Sequence, residues 1–159
     1  MDVHQELKHR GERCQCVRCR EVRGQDVQRA ALRMDDLVYT ADFAEEHFLS
    51  YITPDDKLAG FLRLSLPQPN APATDLSDLE NAAIIREVHV YGQSLRMGQD
   101  HDGAAQHSGL GTELLDEAAK IAHEHGFQQL AVIAAIGTRQ YYLKRGFQRG
   151  ELYLIQYFR

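Results

Sequence analysis

Ile84-Ile85-Arg86-Glu87-Val88-His89-Val90-Tyr91 and, after a polar segment, Gln106-His107-Ser108-Gly109-Leu110-Gly111 decide the fold of this 159-residue chain. The first string reads as a strand. The second is a Q-x-x-G-x-G loop that runs directly into a helical pattern over 109–125. Leu110, Leu114, Ala118 and Ile121 fall on one face there, with Leu115 and Ala122 beside them, and Gly126 supplies the stop. The apolar run 130–136 then predicts a buried strand. Glycines let backbone N–H groups approach oxyanions, and a helix N-terminus adds roughly half a positive charge and unpaired donors. Strand, glycine turn and helix therefore predict a cradle for a phosphate-bearing cofactor. The plainer alternative is a tight turn that caps a helix.

Outward from that unit, residues 35–40 predict a first strand, and 48–52 and 59–66 a hairpin joined by Thr53-Pro54-Asp55-Asp56-Lys57-Leu58. Residues 67–82 and 92–105 read as loops, 138–145 as a short helix closed by Gly146, and 152–158 as a last strand. The order predicts a mixed α/β sandwich with too few parallel units for a doubly wound sheet. Neither G-x-G-x-x-G nor G-x-x-x-x-G-K-[ST] occurs, so dinucleotide and nucleoside-triphosphate folds lose support.

The charge is uneven. Residues 1–33 hold eight Lys/Arg against five Asp/Glu, net +3, and 34–159 hold ten against eighteen, net −8. The chain divides accordingly into a basic cysteine-containing arm, 1–33, and a body, 34–159. A basic arm suits phosphate neutralisation on nucleic acid, or is simply a solvated segment. All three cysteines, Cys14, Cys16 and Cys19, lie within six residues, which argues against a secreted disulfide framework. No apolar run approaches the roughly 18 residues of a membrane span, and 1–11 has no signal-peptide segment, so a cytoplasmic location without membrane contact is expected.

Arg139-Gln140-Tyr141-Tyr142-Leu143-Lys144-Arg145-Gly146-Phe147 carries the second chemical signal. Cleaving a thioester expels a thiolate, and a tyrosine hydroxyl near the sulfur can protonate it. Tyr142 and Tyr141 are both candidates, and either could instead be a core aromatic. Lys144 could attract a phosphate. Glu87 and His89 share a face of their strand by period-two alternation, and Glu87 is a candidate general base unless it pairs with Arg86 or Arg139. His107 suits packing or phosphate contact, and His123 and His125 suit the helix C-terminus.

Q-x-x-G-x-G followed by Y-x-K-x-G-F resembles the GNAT N-acetyltransferase superfamily. The strings 86–92, 106–111 and 137–146 are similar to the acetyltransferase domain of the Elongator catalytic-subunit family (elongator protein three), as is the cysteine string 14–22. The resemblance covers nearly the whole chain. It implies a GNAT acyl-CoA N-acyltransferase fold, with a mixed, mostly antiparallel sheet flanked by helices and an N-terminal cysteine knuckle. It also implies acetyl-CoA as cofactor, bound by His89, Val90, Gln106, His107, Ser108, Gly109, Leu110, Gly111, Thr112, Tyr141, Tyr142 and Lys144. Zinc would sit on Cys14, Cys16 and Cys19, with His9, His4 or another residue as fourth ligand. The family modifies the wobble uridine of tRNA with a radical S-adenosylmethionine half, whose C-x-x-x-C-x-x-C motif these residues lack. The expected activity is therefore acetyl transfer or acetyl-CoA hydrolysis stimulated by tRNA, with a separate radical domain or other Elongator-type subunit as partner. Two further readings stay open: a free-standing GNAT enzyme acting on a protein lysine or small amine, and a non-catalytic tRNA- or partner-binding module. Gln140 stands where the family usually has Asn, Ala134-Ala135 replaces a frequent Ser-Gly, and 155–159 lacks the usual basic tail.

Overall fold

The computed structural model describes residues 3–23, 27–91 and 109–158. A seven-stranded sheet organises them, built from β1 (Arg33–Ala41), β2 (Ala44–Ile52), β3 (Leu58–Pro67), β4 (Ala82–Val90), β5 (Gln129–Val132), β6 (Gln148–Arg149) and β7 (Leu154–Tyr157). Their order is β1-β2-β3-β4-β5-β7-β6, and only the β4/β5 pair is parallel. Four α-helices accompany it among the described residues: α1 (Val3–His9), α2 (Val17–Arg20), α3 (Leu110–Glu124) and α4 (Arg139–Leu143). The mixed, mostly antiparallel α/β architecture is the one expected.

The hydrophobic stripe explains α3. Leu110, Leu114, Leu115, Ala118, Ile121 and Ala122 are buried against Leu49, Tyr51, Leu62, Leu64, Ala83 and Ile85 of the sheet. Each fully buried leucine stabilises the packing by about 1.5–3 kcal/mol. Gly126 takes φ 85°, which ends the helix as its sequence suggests. Val22, Val27 and Leu32 belong to the same core, so the arm packs onto the body from Glu21 onward rather than standing apart. Glu21 forms a parallel bridge with Leu58, and the Val22 N–H donates to the Leu58 carbonyl at 3.1 Å.

Two sequence expectations need correction. The strand expected over 130–136 ends at Val132, and Ile133 and Ile136 are exposed (65% and 82%). Its partners run out there: β5 pairs β4 only from Ala82↔Gln129 to Ile85↔Val132. The second strand starts at Ala44, earlier than expected, because a tight turn at Asp42 (φ 26°) joins it to β1. The loop 67–82 is held in place by buried Asp78. Its carboxylate accepts the N–H groups of Glu151, Leu152 and Tyr153 at 3.0, 2.7 and 2.9 Å. These bonds, Tyr153 first, hold the Asp78 carboxyl below the usual aspartate range. A side chain at Gly150 would run into the same carboxylate.

Candidate active site

A bulge in β4 positions the site. Leu64 faces Ile85 and Arg63 faces Glu87, so Arg86 is an extra residue that bends the strand. It also reverses the alternation: Ala83 and Ile85 face α3 before it, and Val88 and Val90 do so after it. Beyond Ile85 β4 is paired only on its β3 side among the described residues. β4 and β5 thus part company, leaving an opening in the middle of a continuous sheet.

The first turn of α3 stands at that opening. Gly109 precedes it with no side-chain cap, so among the described residues its leading N–H groups have no capping side chain. A Cβ built on Gly111 would overlap the Tyr141 hydroxyl and meet Val90 Cγ2 at 3.5 Å, which places glycine helix, β4 and α4 in mutual contact. Arg145 locks this junction. Its guanidinium lies 3.6 Å from the Tyr141 ring centroid, donates Nε to Thr112 Oγ1 at 2.9 Å and donates Nη1 to the Tyr141 carbonyl at 2.9 Å. Sequence reasoning passed over Arg145 although it lies inside the Y-x-K-R-G-F string.

The two tyrosines separate. Tyr141 is half-buried with its hydroxyl over Gly111. Tyr142 has its ring in the core, 5.2 Å from Tyr141 and 5.4 Å from Phe147 between centroids. Burial raises both phenols above the ordinary tyrosine value, against Arg145 for Tyr141 and together with Tyr141 for Tyr142. Both therefore stay protonated at neutral pH.

Other expected site residues distribute as follows. Leu110 is fully buried, so only its backbone reaches the opening. Thr112 is engaged with Arg145. His89 lies on the opposite face from Val90, stacked on Phe61 at 5.9 Å and near Tyr91 at 4.9 Å. Lys144 is exposed at the end of α4. Glu87 is exposed and pairs with Arg63 at 3.9 Å, not with Arg86 or Arg139; Arg86 reaches buried Glu46 at 3.1 Å instead. Gln106, His107 and Ser108 lie outside the described residues.

Glu113, one residue beyond Thr112, puts an acid in the first turn of α3. Its carboxylate accepts from Arg29 and from the Tyr51 hydroxyl, and Arg29 Cζ lies 4.6 Å over the Tyr51 ring. Burial, then the neighbouring Glu113, pushes the Tyr51 phenol up to about 12. The arm thereby neutralises the one acidic side chain in the first turn of α3.

The cysteines converge. One sulfur from each of Cys14, Cys16 and Cys19 lies within 4.8 Å of the others, compatible with the roughly 3.8 Å edges of a tetrahedron with 2.3 Å zinc–sulfur bonds. The backbone N–H of Cys19, then the Cys14 thiol, lower Cys16, while hydrogen bonds from Cys16 and Cys14 push Cys19 up to about 11. Thiols so close resist losing further protons unless a cation balances them. His9 does not join the triad: among the described residues the ligating atoms that lie within 4.8 Å of one another here are those of Cys14, Cys16 and Cys19, and the His4 side chain lies outside the described residues. The segment is tied to the β2–β3 turn by Arg20–Asp56 at 2.5 Å and by Lys57 Nζ to the Cys19 carbonyl at 3.0 Å. Five of the eight basic residues of 1–33 are paired: Arg10 with Glu6, Arg20 with Asp56, Arg23 with Glu21, Arg29 with Glu113 and Arg33 with Asp35. Lys8, Arg13 and Arg18 are in no ion pair among the described residues. No described helix is long and apolar enough to cross a membrane.

A model of the acetyltransferase (GNAT) family matches residues 15–147. The chain is 38% identical over 152 residues to the tRNA uridine(34) acetyltransferase of Dehalococcoides mccartyi, covering 92% of this chain and 33% of that one. It is 39% identical over 160 residues to Elongator complex protein 3 of Dictyostelium discoideum, covering 95% and 28%. The solved structure of archaeal Methanocaldococcus infernus Elp3 with an N-terminus deletion (1–46) superposes with a TM-score of 0.80 at 30% identity, covering 98% of this chain and 38% of that one. The chain spans about a third of the length of these relatives. With β4, the glycine-led helix α3, the parted β4/β5 pair and the tyrosine helix α4 meeting in one place, the conclusion is that this chain belongs to the GNAT acetyltransferase family.

Proposed function

We propose that the chain is an acetyl-CoA-binding acetyltransferase domain acting in the modification of tRNA wobble uridine. The observation that carries this reading is the opening between β4 and β5, with the uncapped first turn of α3, Val90 and Tyr141 meeting at it. The leading N–H groups of α3 around Gly109, Leu110 and Gly111 would hold the cofactor's pyrophosphate, with Gln106, His107, Ser108 and Thr112 beside them. The side of β4 at His89 and Val90 that faces away from β3, unpaired among the described residues, would offer backbone groups to the cofactor's pantetheine arm, and Lys144 a cation.

Acetyl-CoA supplies an activated acyl group as a thioester. Tyr142 would give its proton to the departing sulfur, since burial keeps its phenol neutral and its hydroxyl has no hydrogen-bond partner among the described residues. Tyr141, whose hydroxyl lies over Gly111, lines the cofactor and is the alternative donor. Glu87, at the bulge, would take the proton of the attacking water or acceptor. Cys14, Cys16 and Cys19 would hold zinc, its fourth ligand coming from outside the triad. Lys8, Arg13 and Arg18 around that metal would meet tRNA phosphates. A radical S-adenosylmethionine domain would complete the uridine chemistry, and a tRNA substrate places the work in the cytoplasm. Similarity to a tRNA uridine(34) acetyltransferase and to Elongator complex protein 3 over most of this chain supports the substrate class.

The test is acetyl-CoA turnover with and without tRNA. Stimulation by tRNA is expected. If tRNA neither binds nor changes turnover while a lysine peptide or small amine is acetylated, the tRNA reading is wrong. If acetyl-CoA does not bind, the enzyme reading is wrong as well.

A further inference from the structure

A second cluster of metal-ligating side chains lies at the other end of the sheet. Glu45 and His47 are two residues apart on β2, so both leave the strand on the face that α3 covers. His125 reaches them from the C-cap of α3. Glu45 Oε1 is 3.3 Å from His47 Nε2 and 3.3 Å from His125 Nε2, and the three ligating atoms lie within 4.8 Å of one another.

Each imidazole is fixed through its other nitrogen. His47 Nδ1 is 2.8 Å from Asp36 Oδ2 on β1, and His125 Nδ1 is 2.8 Å from the Ile121 carbonyl. Both partners are acceptors, so each Nδ1 carries the proton and each Nε2 is left as the lone-pair nitrogen of the neutral ring. In that tautomer the two lone pairs and one carboxylate oxygen converge, which is the donor set of a cation site. The His47–Glu45 contact at 3.3 Å is long for a hydrogen bond. A tetrahedral ion with bonds of about 2.0–2.1 Å instead sets ligand–ligand edges of roughly 3.3 Å. Carboxylate and carbonyl oxygens behind the rings are also the arrangement that orients metal-bound histidines.

We propose that Glu45, His47 and His125 form a binding site for a divalent transition-metal ion of the zinc class, separate from the cysteine triad. Two imidazoles and a carboxylate suit zinc, cobalt or nickel better than calcium or magnesium. His47 is buried at 6% exposure, whereas Glu45 and His125 line an open cleft with Phe43 and Phe127, through which the ion enters and where water takes the fourth position. The bound ion clasps the end of α3 to β2. This proposal is independent of acetyl transfer.

The experiment is a cobalt(II) titration of the chain without a histidine tag, read by visible absorption and by bound-metal stoichiometry. The expected result is one equivalent whose spectrum lacks the near-ultraviolet thiolate-to-cobalt band, whatever the cysteines bind. His125→Ala, an exposed position, abolishes that equivalent without unfolding the chain. Asp36→Asn weakens it about 10- to 100-fold, which a ligand-free packing role of Asp36 would not do. Cys16→Ser leaves it unchanged. Cobalt bound solely with the thiolate band, no cobalt bound, or an equivalent that survives both His125→Ala and Glu45→Gln, overturns the proposal.

Discussion

Replacing Gly111 by alanine sets two known effects against each other. An alanine within a helix is favoured over glycine by up to about 1 kcal/mol. The added Cβ, however, would overlap the Tyr141 hydroxyl, while its next neighbours, Tyr141 Cζ and Val90 Cγ2, stand at 3.5 Å, ordinary contact. The clash is therefore with one oxygen. Arg145 stacks on the Tyr141 ring and bonds its carbonyl, so the ring cannot swing aside freely. Forcing an atom into such a place costs about 2–3 kcal/mol, so Gly111→Ala alone is expected to lose about 1–2 kcal/mol net. Removing the hydroxyl first, with Tyr141→Phe, leaves room for the methyl group. In that background Gly111→Ala should gain about 0.5–1 kcal/mol, giving a coupling of about 2–3 kcal/mol. Urea unfolding of the four proteins measures it. Effects that add to within about 0.5 kcal/mol would refute the close approach of α4 to the first turn of α3, and with it the geometry assigned to the cofactor opening.

Further expectations test other parts of the molecule. Asp78→Ala should cost about 2–4 kcal/mol, because it strips an ionised acceptor from three backbone N–H groups. The folded Asp78 carboxyl is depressed, so this contribution is present above the ordinary aspartate value of about 3.9 and is lost as pH falls through the folded value. Unfolding measured from pH 7 to pH 2 should show the gap between wild type and variant narrowing below about pH 4; a constant difference would contradict the assignment. Tyr142→Phe should lower acetyl-CoA turnover about 100-fold and change acetyl-CoA affinity by no more than about twofold. Lost affinity with intact turnover would remove Tyr142 as proton donor, and a larger turnover loss in Tyr141→Phe would transfer the role. Cys16→Ser should abolish zinc bound to the triad, and a chelator should do the same in the unaltered chain. Zinc content unaffected by either treatment would disprove the thiolate site.

Much of the architecture was legible because its signals are local. The α3 stripe, Gly126 and the β2–β3 turn chemistry are each written within one helical or hairpin period. What escaped reading depends on distant partners. Leu130 to Ile136 looks uniformly apolar, yet the strand stops where β4 bends away, and nothing within the run marks that point. The bend itself left a trace: the inward residues shift from odd to even positions between Ile85 and Val88, a slip of phase that only a bulge explains. Asp78 lies in a stretch rich in proline and acids, and its three partners are more than seventy residues away. At the site, glycines and tyrosines were readable as types, but which tyrosine stands over Gly111 is decided by the turn of α4. Glu87 drew its partner Arg63 from an adjacent strand, beyond the reach of a local pairing rule.

The first three residues of β3 fix a length scale. Leu58 carries Glu21 and Val22 behind the cysteines, the Ala59 carbonyl accepts the Tyr91 N–H at 2.8 Å, and Gly60 faces Val90 at the β4/β5 opening. At about 3.4 Å per residue, these steps put the two attachment points on β3 roughly 7 Å apart. Backbone hydrogen bonds set that interval, so side-chain substitutions leave it unchanged, and a slip of one residue would turn every side chain of β3 to the wrong face. The cysteine segment and the opening are therefore anchored to a single ruler, and neither can shift along β3 without the other.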